Sequence, residues 1–212
     1  GQVKTVYCGL GGRLNPESGP GTSRGSNEAR TVLYVGRSDP YKNCVGLVSA
    51  FALARKQCPF PLKLVMAGPV DERYPEINAK IAELGLADGV KRAYLSDREL
   101  ADAYRNADLL ALPSLYEGFG LPVLEAMAFG TPVVCGNRGS LPEIAGDAAI
   151  QVDPADITAL ATAMARVLTD QKLAREMSAK GLRQAAGFTW QRAATETIAI
   201  YRQAAEMRGI AG

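Results

Sequence analysis

The chain has 212 residues, 24 basic against 22 acidic, a net charge of +2 and 47% hydrophobic side chains. That length suits one large domain burying roughly 70% of its unfolded surface, and it is too short for two doubly wound domains. The balanced charge offers no field for nucleic acid or an anionic membrane, and no apolar run approaches the roughly 18 residues of a spanning helix.

Residues 9–12 and 15–27 are rich in Gly, Pro and Ser and read as a flexible connector, because no Lys-Ser or Lys-Thr ending follows to make a phosphate loop. Regular alternation begins at Thr31-Val32-Leu33-Tyr34-Val35, a β-rich strand that stops at Gly36. Further strands are expected over 62–68, 90–95, 108–112, 132–135 and 149–152. Helical patterns fill the intervals over 44–57, 73–84, 97–106, 121–129 and 140–145. Ser96 with Glu99 makes a capping box at the start of the third of these helices. Such alternation predicts an α/β fold, a Rossmann-like parallel sheet with helices on both faces. From about residue 154 onward the chain reads as all-helical, with Ala-rich packing segments at 155–169, 172–186 and 189–207.

The chemistry concentrates where two of the strands end. The run Leu109-Leu110-Ala111-Leu112 stops at Pro113 and Ser114, as a buried strand does at a sheet edge, and a loop with two glycines follows. Gly118 and Gly120 permit backbone conformations and ligand approaches that a Cβ would block, and Pro122 suits the first turn of a helix. That helix should close at Gly130. Its free N–H groups and positive dipole end at Leu121 favour a phosphate, while Glu125, about a turn further in, can accept from hydroxyls. Glu117 lies on the loop, eight positions before Glu125. The first strand supplies cations in Gly36-Arg37-Ser38-Asp39-Pro40-Tyr41-Lys42-Asn43. At the carboxyl end of a strand in a doubly wound sheet, Arg37 and Lys42 can clamp a diphosphate, with charge-assisted bonds worth roughly 1.5–3 kcal/mol each.

The string Glu117-Gly118-Phe119-Gly120-Leu121-Pro122-Val123-Leu124-Glu125, within residues 113–134, closely resembles the signature of retaining glycosyltransferases of the GT-B fold, group 1 or family 4. Residues 36–43 resemble the same family's Gly-Arg-x-x-x-x-Lys-Asn element. The resemblance implies that Glu125 binds the nucleotide ribose, and that Glu117 with Gly118, Phe119, Gly120 and Leu121 holds the transferred sugar and the β-phosphate. Gly36, Arg37 and Lys42 complete the donor site, and Glu117, Arg37 and Lys42 carry the catalytic roles. Residues 3–10 look like the strand and turn that lead out of the family's N-terminal domain. Residues 1–30 are then an interdomain strand and connector, and residues 31–212 are the donor-binding half of the GT-B fold. On this resemblance the N-terminal acceptor domain is expected to lie outside these residues. Gly139-Ser140-Leu141-Pro142-Glu143-Ile144 and Phe188-Thr189-Trp190 also match, with Glu143 a capping or surface residue and Trp190 a packing anchor. Lys91-Arg92-Ala93-Tyr94 departs from the family's apolar, glycine-containing strand at the base-binding turn.

The implied reaction transfers a hexose from a GDP-mannose or UDP-hexose type donor to an acceptor hydroxyl of a glycan or lipid-linked acceptor, with retention. The alternatives are a non-catalytic nucleotide-sugar module and a GT-B epimerase or phosphorylase. An epimerase is disfavoured because the chain has no histidine. The nucleotide sugar is a co-substrate. No metal is expected, because histidine is absent and no Asp-x-Asp pair exists to hold an ion against a diphosphate. Cys8, Cys44, Cys58 and Cys135 lack zinc-like spacing and suit reduced thiols. With no visible secretory leader, a cytoplasmic location is expected, with attachment at the inner membrane face through the missing half.

Overall fold

The computed structural model describes residues 6–8 and 28–207. Six strands form one parallel sheet: β1 (Arg30–Val35), β2 (Leu62–Ala67), β3 (Val90–Ala93), β4 (Leu109–Leu112), β5 (Val133–Gly136) and β6 (Ile150–Val152), in the order β3-β2-β1-β4-β5-β6. The helices between them are α1 (Cys44–Gln57), α2 (Glu76–Glu83), α3 (Asp97–Asn106), α4 (Leu121–Ala128) and α5 (Leu141–Ala145). The helices α6 (Ile157–Thr169), α7 (Gln171–Ala186) and α8 (Trp190–Met207) follow the last strand. The chain winds outward from β1 through β2 to β3, then returns to β4 and winds outward the other way. Right-handed crossovers in opposite directions put their helices on opposite faces. Accordingly α1 packs with α2 and α6, while α4 packs with α3, α5 and α7.

Burial follows position in the sheet. The central strand β4 and its neighbour β5 are buried at every residue, as apolar runs covered on both faces must be, whereas the edge strands β3 and β6 contain no fully buried residue. Leu33, Leu64, Leu110, Val134 and Phe51 form the centre of the core. Cys44 and Cys135 are buried and all four cysteines are free thiols.

Several boundaries differ from expectation. Strand β3 ends at Ala93 rather than 95, because its one neighbour, β2, stops at Ala67, directly opposite. Helix α2 begins at Glu76 rather than 73, since Pro75 disfavours helical backbone in the residue before it. The segment Pro40–Lys42 is a single 3-10 turn closed by Asn43 in the left-handed region, at φ 56°. Trp190 corrects the expected packing anchor: it is 56% exposed, and Phe188, two residues earlier, packs on Tyr7 and Phe119 instead. The expected strand and turn over residues 3–10 fall largely outside the described residues, and residues 6–8 carry no strand. The connector over 9–27 lies outside them altogether.

One glycine sets how closely β1 and β2 approach at the carboxyl edge. A Cβ on Gly68 would lie 1.9 Å from the carbonyl oxygen of Gly36, a contact with backbone that no rotamer relieves. Gly68→Ala is expected to lower stability by about 3 kcal/mol, at the upper end of overpacking costs, read as a fall in the urea midpoint at constant m.

Candidate active site

Strand order puts the switch of winding direction between β1 and β4, so a crevice opens at their carboxyl ends, where ligands gather in this kind of sheet. Both predicted motifs arrive there. The loop after β1 carries Arg37 and Lys42, and the loop after β4 carries Ser114 and Glu117. A backbone bond from Leu115 N–H to the Tyr41 carbonyl, 2.7 Å, ties the two loops together.

At the centre the Lys42 ammonium donates to both oxygens of Glu117, at 2.7 and 2.9 Å. The pair is close to dry, with side-chain exposures of 13% and 8%. Ser114 donates its hydroxyl to Glu117 Oε1 at 2.7 Å, so the carboxylate is held from two sides. Such a pair keeps its charges at low dielectric, where each acts strongly on anything that enters.

Arg37 is placed differently from a clamp partner of Lys42. Its side chain is 63% exposed and donates from Nε to Asp39 Oδ2 at 3.0 Å. Its backbone is fixed, because the buried Tyr34 hydroxyl donates to the Arg37 carbonyl at 2.6 Å. Burial pushes the Tyr34 phenol far up, so it remains a donor. Two cations thus flank the end of β1, one locked and one in water.

The loop 117–120 is held by contacts that leave its open side clear. Ser140 Oγ lies between the carbonyl oxygens of Glu117 and Phe119, at 3.0 and 2.8 Å. The Phe119 ring packs against Phe188 and Tyr7, with centroids 6.3 and 6.5 Å away, and Tyr7 in turn donates to the exposed Glu143 at 2.6 Å. Gly120 caps α4 at φ 98°, a conformation that favours glycine, and a Cβ there would also press on the end of the Leu141 side chain at 2.7 Å. A Cβ on Gly118 would meet nothing within 4 Å, which leaves room for a ligand. Helix α4 then presents its N-terminus, with Pro122 in its first turn, and closes at Gly130, whose φ is 74°. Glu125, half-buried on α4, accepts from the Tyr104 hydroxyl at 2.7 Å.

Lys42, Glu117 and Ser114 are therefore in contact, Arg37 and Gly36 adjoin them along the chain, and Glu125 stands on the helix that the loop leads into. Tyr34 and Tyr104 had no local sequence signal, and Ser140 stood in a matching segment with no role assigned, since each acts through a partner distant in the chain or through backbone. A cavity of about 560 Å³ at the opposite edge of the sheet, lined by Arg30, Arg105, Phe129 and Leu168, shares no residue with this site.

The chain matches the family of glycosyl transferases group 1 over residues 22–184. It is 37% identical over 173 residues to O-antigen chain mannosyltransferase B of Escherichia coli, covering 81% of this chain and 45% of that protein. It is also 37% identical over 184 residues to MMP alpha-(1->4)-mannosyltransferase of Mycolicibacterium hassiacum, covering 82% of this chain and 43% of the relative. Among solved structures, sucrose-phosphate synthase from Thermosynechococcus elongatus superposes with a TM-score of 0.80 at 31% identity, over 96% of this chain and 53% of that one. The chain spans about half the length of the curated relatives it matches.

Proposed function

This chain belongs to the group 1 glycosyltransferases, with the Rossmann-like architecture of one half of a GT-B fold, and we propose that it is the donor-binding half of a retaining hexosyltransferase. The reaction is transfer of a hexose from a nucleoside diphosphate to an acceptor hydroxyl, in building a glycan or polysaccharide. The observation that carries this reading is the buried Lys42–Glu117 pair at the β1/β4 switch, beside the N-terminus of α4. As the anomeric bond breaks, negative charge grows on the diphosphate, and Lys42, Arg37 and the helix start at Leu121 stabilise it. Glu117 and the backbone of Gly118, Phe119 and Gly120 hold the sugar, and Glu125 accepts from the ribose hydroxyls. The acceptor, a glycan or lipid-linked sugar, is bound by the other domain of the complete enzyme. The mannosyltransferase relatives make GDP-mannose the first donor to try, with UDP-hexoses second.

No divalent ion is required in this scheme. The cations on the loop after β1 supply the charge that a divalent ion would otherwise bring to a diphosphate. No described helix is long and apolar enough to cross a membrane.

The test is to incubate the complete enzyme with GDP- and UDP-hexoses in EDTA, with and without acceptor extract. Acceptor-dependent release of nucleoside diphosphate at an unchanged rate in EDTA is the expected result. Donor binding without release in any combination would identify a non-catalytic sugar-nucleotide module. Loss of turnover in EDTA, restored by Mg²⁺ or Mn²⁺, would overturn the metal-free scheme.

A further inference from the structure

We propose that Tyr104 is a positioning residue of the donor site, which holds the Glu125 carboxylate in the orientation that meets the ribose hydroxyls of a nucleoside diphosphate. The inference rests on the role given to Glu125 above.

The geometry is that of a fixed donor. Tyr104 is fully buried, and its hydroxyl donates to Glu125 Oε2 at 2.7 Å. Its ring lies nearly parallel to that of Phe129, with centroids 5.7 Å apart and 12° between planes. Its backbone carbonyl accepts the Thr131 hydroxyl at 2.6 Å. Three contacts of different kinds therefore pin this one residue of α3 to α4 and to the turn that follows it. In a close-packed interior a ring held in this way has no second rotamer to visit, so the hydroxyl cannot wander. Burial, and then the neighbouring carboxylate, pushes the phenol well above its ordinary range, so it stays protonated and keeps donating.

Packing alone does not account for the hydroxyl. Phenylalanine would fill the same space against Phe129, and a buried hydroxyl is costly unless it finds a partner. What the hydroxyl adds is a grip on the one glutamate of α4. By holding one carboxylate oxygen it takes away rotamer freedom that a long side chain gives up when a nucleotide binds. With it, that ordering is already done, and the carboxylate meets the ribose without rearrangement.

The experiment is calorimetric titration of the intact protein with GDP and UDP, each against its 2′,3′-dideoxy counterpart, for wild type, Tyr104→Phe and Glu125→Gln. Wild type is expected to favour the ribonucleotide roughly 10–100-fold, the scale of a hydrogen bond to a charged group. Tyr104→Phe should reduce that ratio by about fivefold or more, while its affinity for the dideoxy form and its melting temperature stay near wild type. Glu125→Gln should reduce the ratio at least as far. A ratio preserved in Tyr104→Phe overturns the inference and leaves the Glu125 reading intact. Equal loss of both nucleotides marks a packing role and also overturns it. Absence of any ribose preference in wild type removes the role of Glu125, and this inference with it.

Discussion

Replacing Lys42 with alanine is expected to slow sugar transfer by the complete enzyme roughly 10²–10³-fold, the effect of removing one preorganised donor from a nearly dry site. Lys42 is the last residue of a 3-10 turn whose left-handed closing residue, Asn43, anchors its side chain to the Pro154 carbonyl at 2.7 Å. The ammonium is therefore delivered by a rigid piece of backbone. In the resting site it is neutralised by Glu117, so it adds little net charge to attract the incoming donor. In the proposed reaction its work begins when the leaving diphosphate takes up charge and competes with Glu117 for the ammonium. An interaction that strengthens only at that stage lowers kcat more than it raises the donor KM. Initial rates with varied donor, on a variant whose circular dichroism matches wild type, distinguish the cases. A near-normal kcat would remove Lys42 from the mechanism, and a large rise in KM at constant kcat would make it a ground-state binding residue.

Most of the architecture was legible because it is written in local patterns. The fully apolar run of β4 read as a buried strand, that of β5 as a further strand, and Gly130 as the end of α4. The Ser96 and Glu99 box read as the start of α3, and both halves of that box are present. The short apolar β1 with the following Arg37 and Lys42, and the loop that carries Glu117, are both found at the carboxyl edge of the sheet, as their positions after strands predicted. What local pattern does not record is which groups meet across the fold. Sequence presents Arg37 and Lys42 as an equivalent cation pair. In the structure Lys42 turns inward to Glu117, 75 residues away, while Arg37 turns outward to Asp39. Ser140 stands at the N-cap of α5, yet its side chain makes no cap bond there and instead braces the carbonyls of the Glu117 loop. Tyr104 is the one buried residue of α3. Its partner lies 21 residues on, beyond a strand and a loop, and nothing in the spacing announces it. These long-range pairings decide orientation at the site, and they depend on the sheet order rather than on any one segment.

Glu117→Leu tests whether the central pair serves folding or chemistry. Removing the carboxylate strands an ammonium that is 13% exposed beside an apolar side chain, and the Ser114 hydroxyl loses its acceptor. Breaking a buried pair from one side costs about 3 kcal/mol or more, so this variant should show a clear fall in urea midpoint as well as loss of transfer. Pairing it with Lys42→Met changes the balance, since an apolar pair of similar volume needs no desolvation of charge. The double variant is expected to regain most of that stability and none of the activity. If the pair were only a brace for the two loops, restoring their packing would restore turnover as well. Recovered stability with transfer still at least about 10²-fold down would instead assign the charges themselves to the reaction, because the loops would be in place and the groups facing the diphosphate would not.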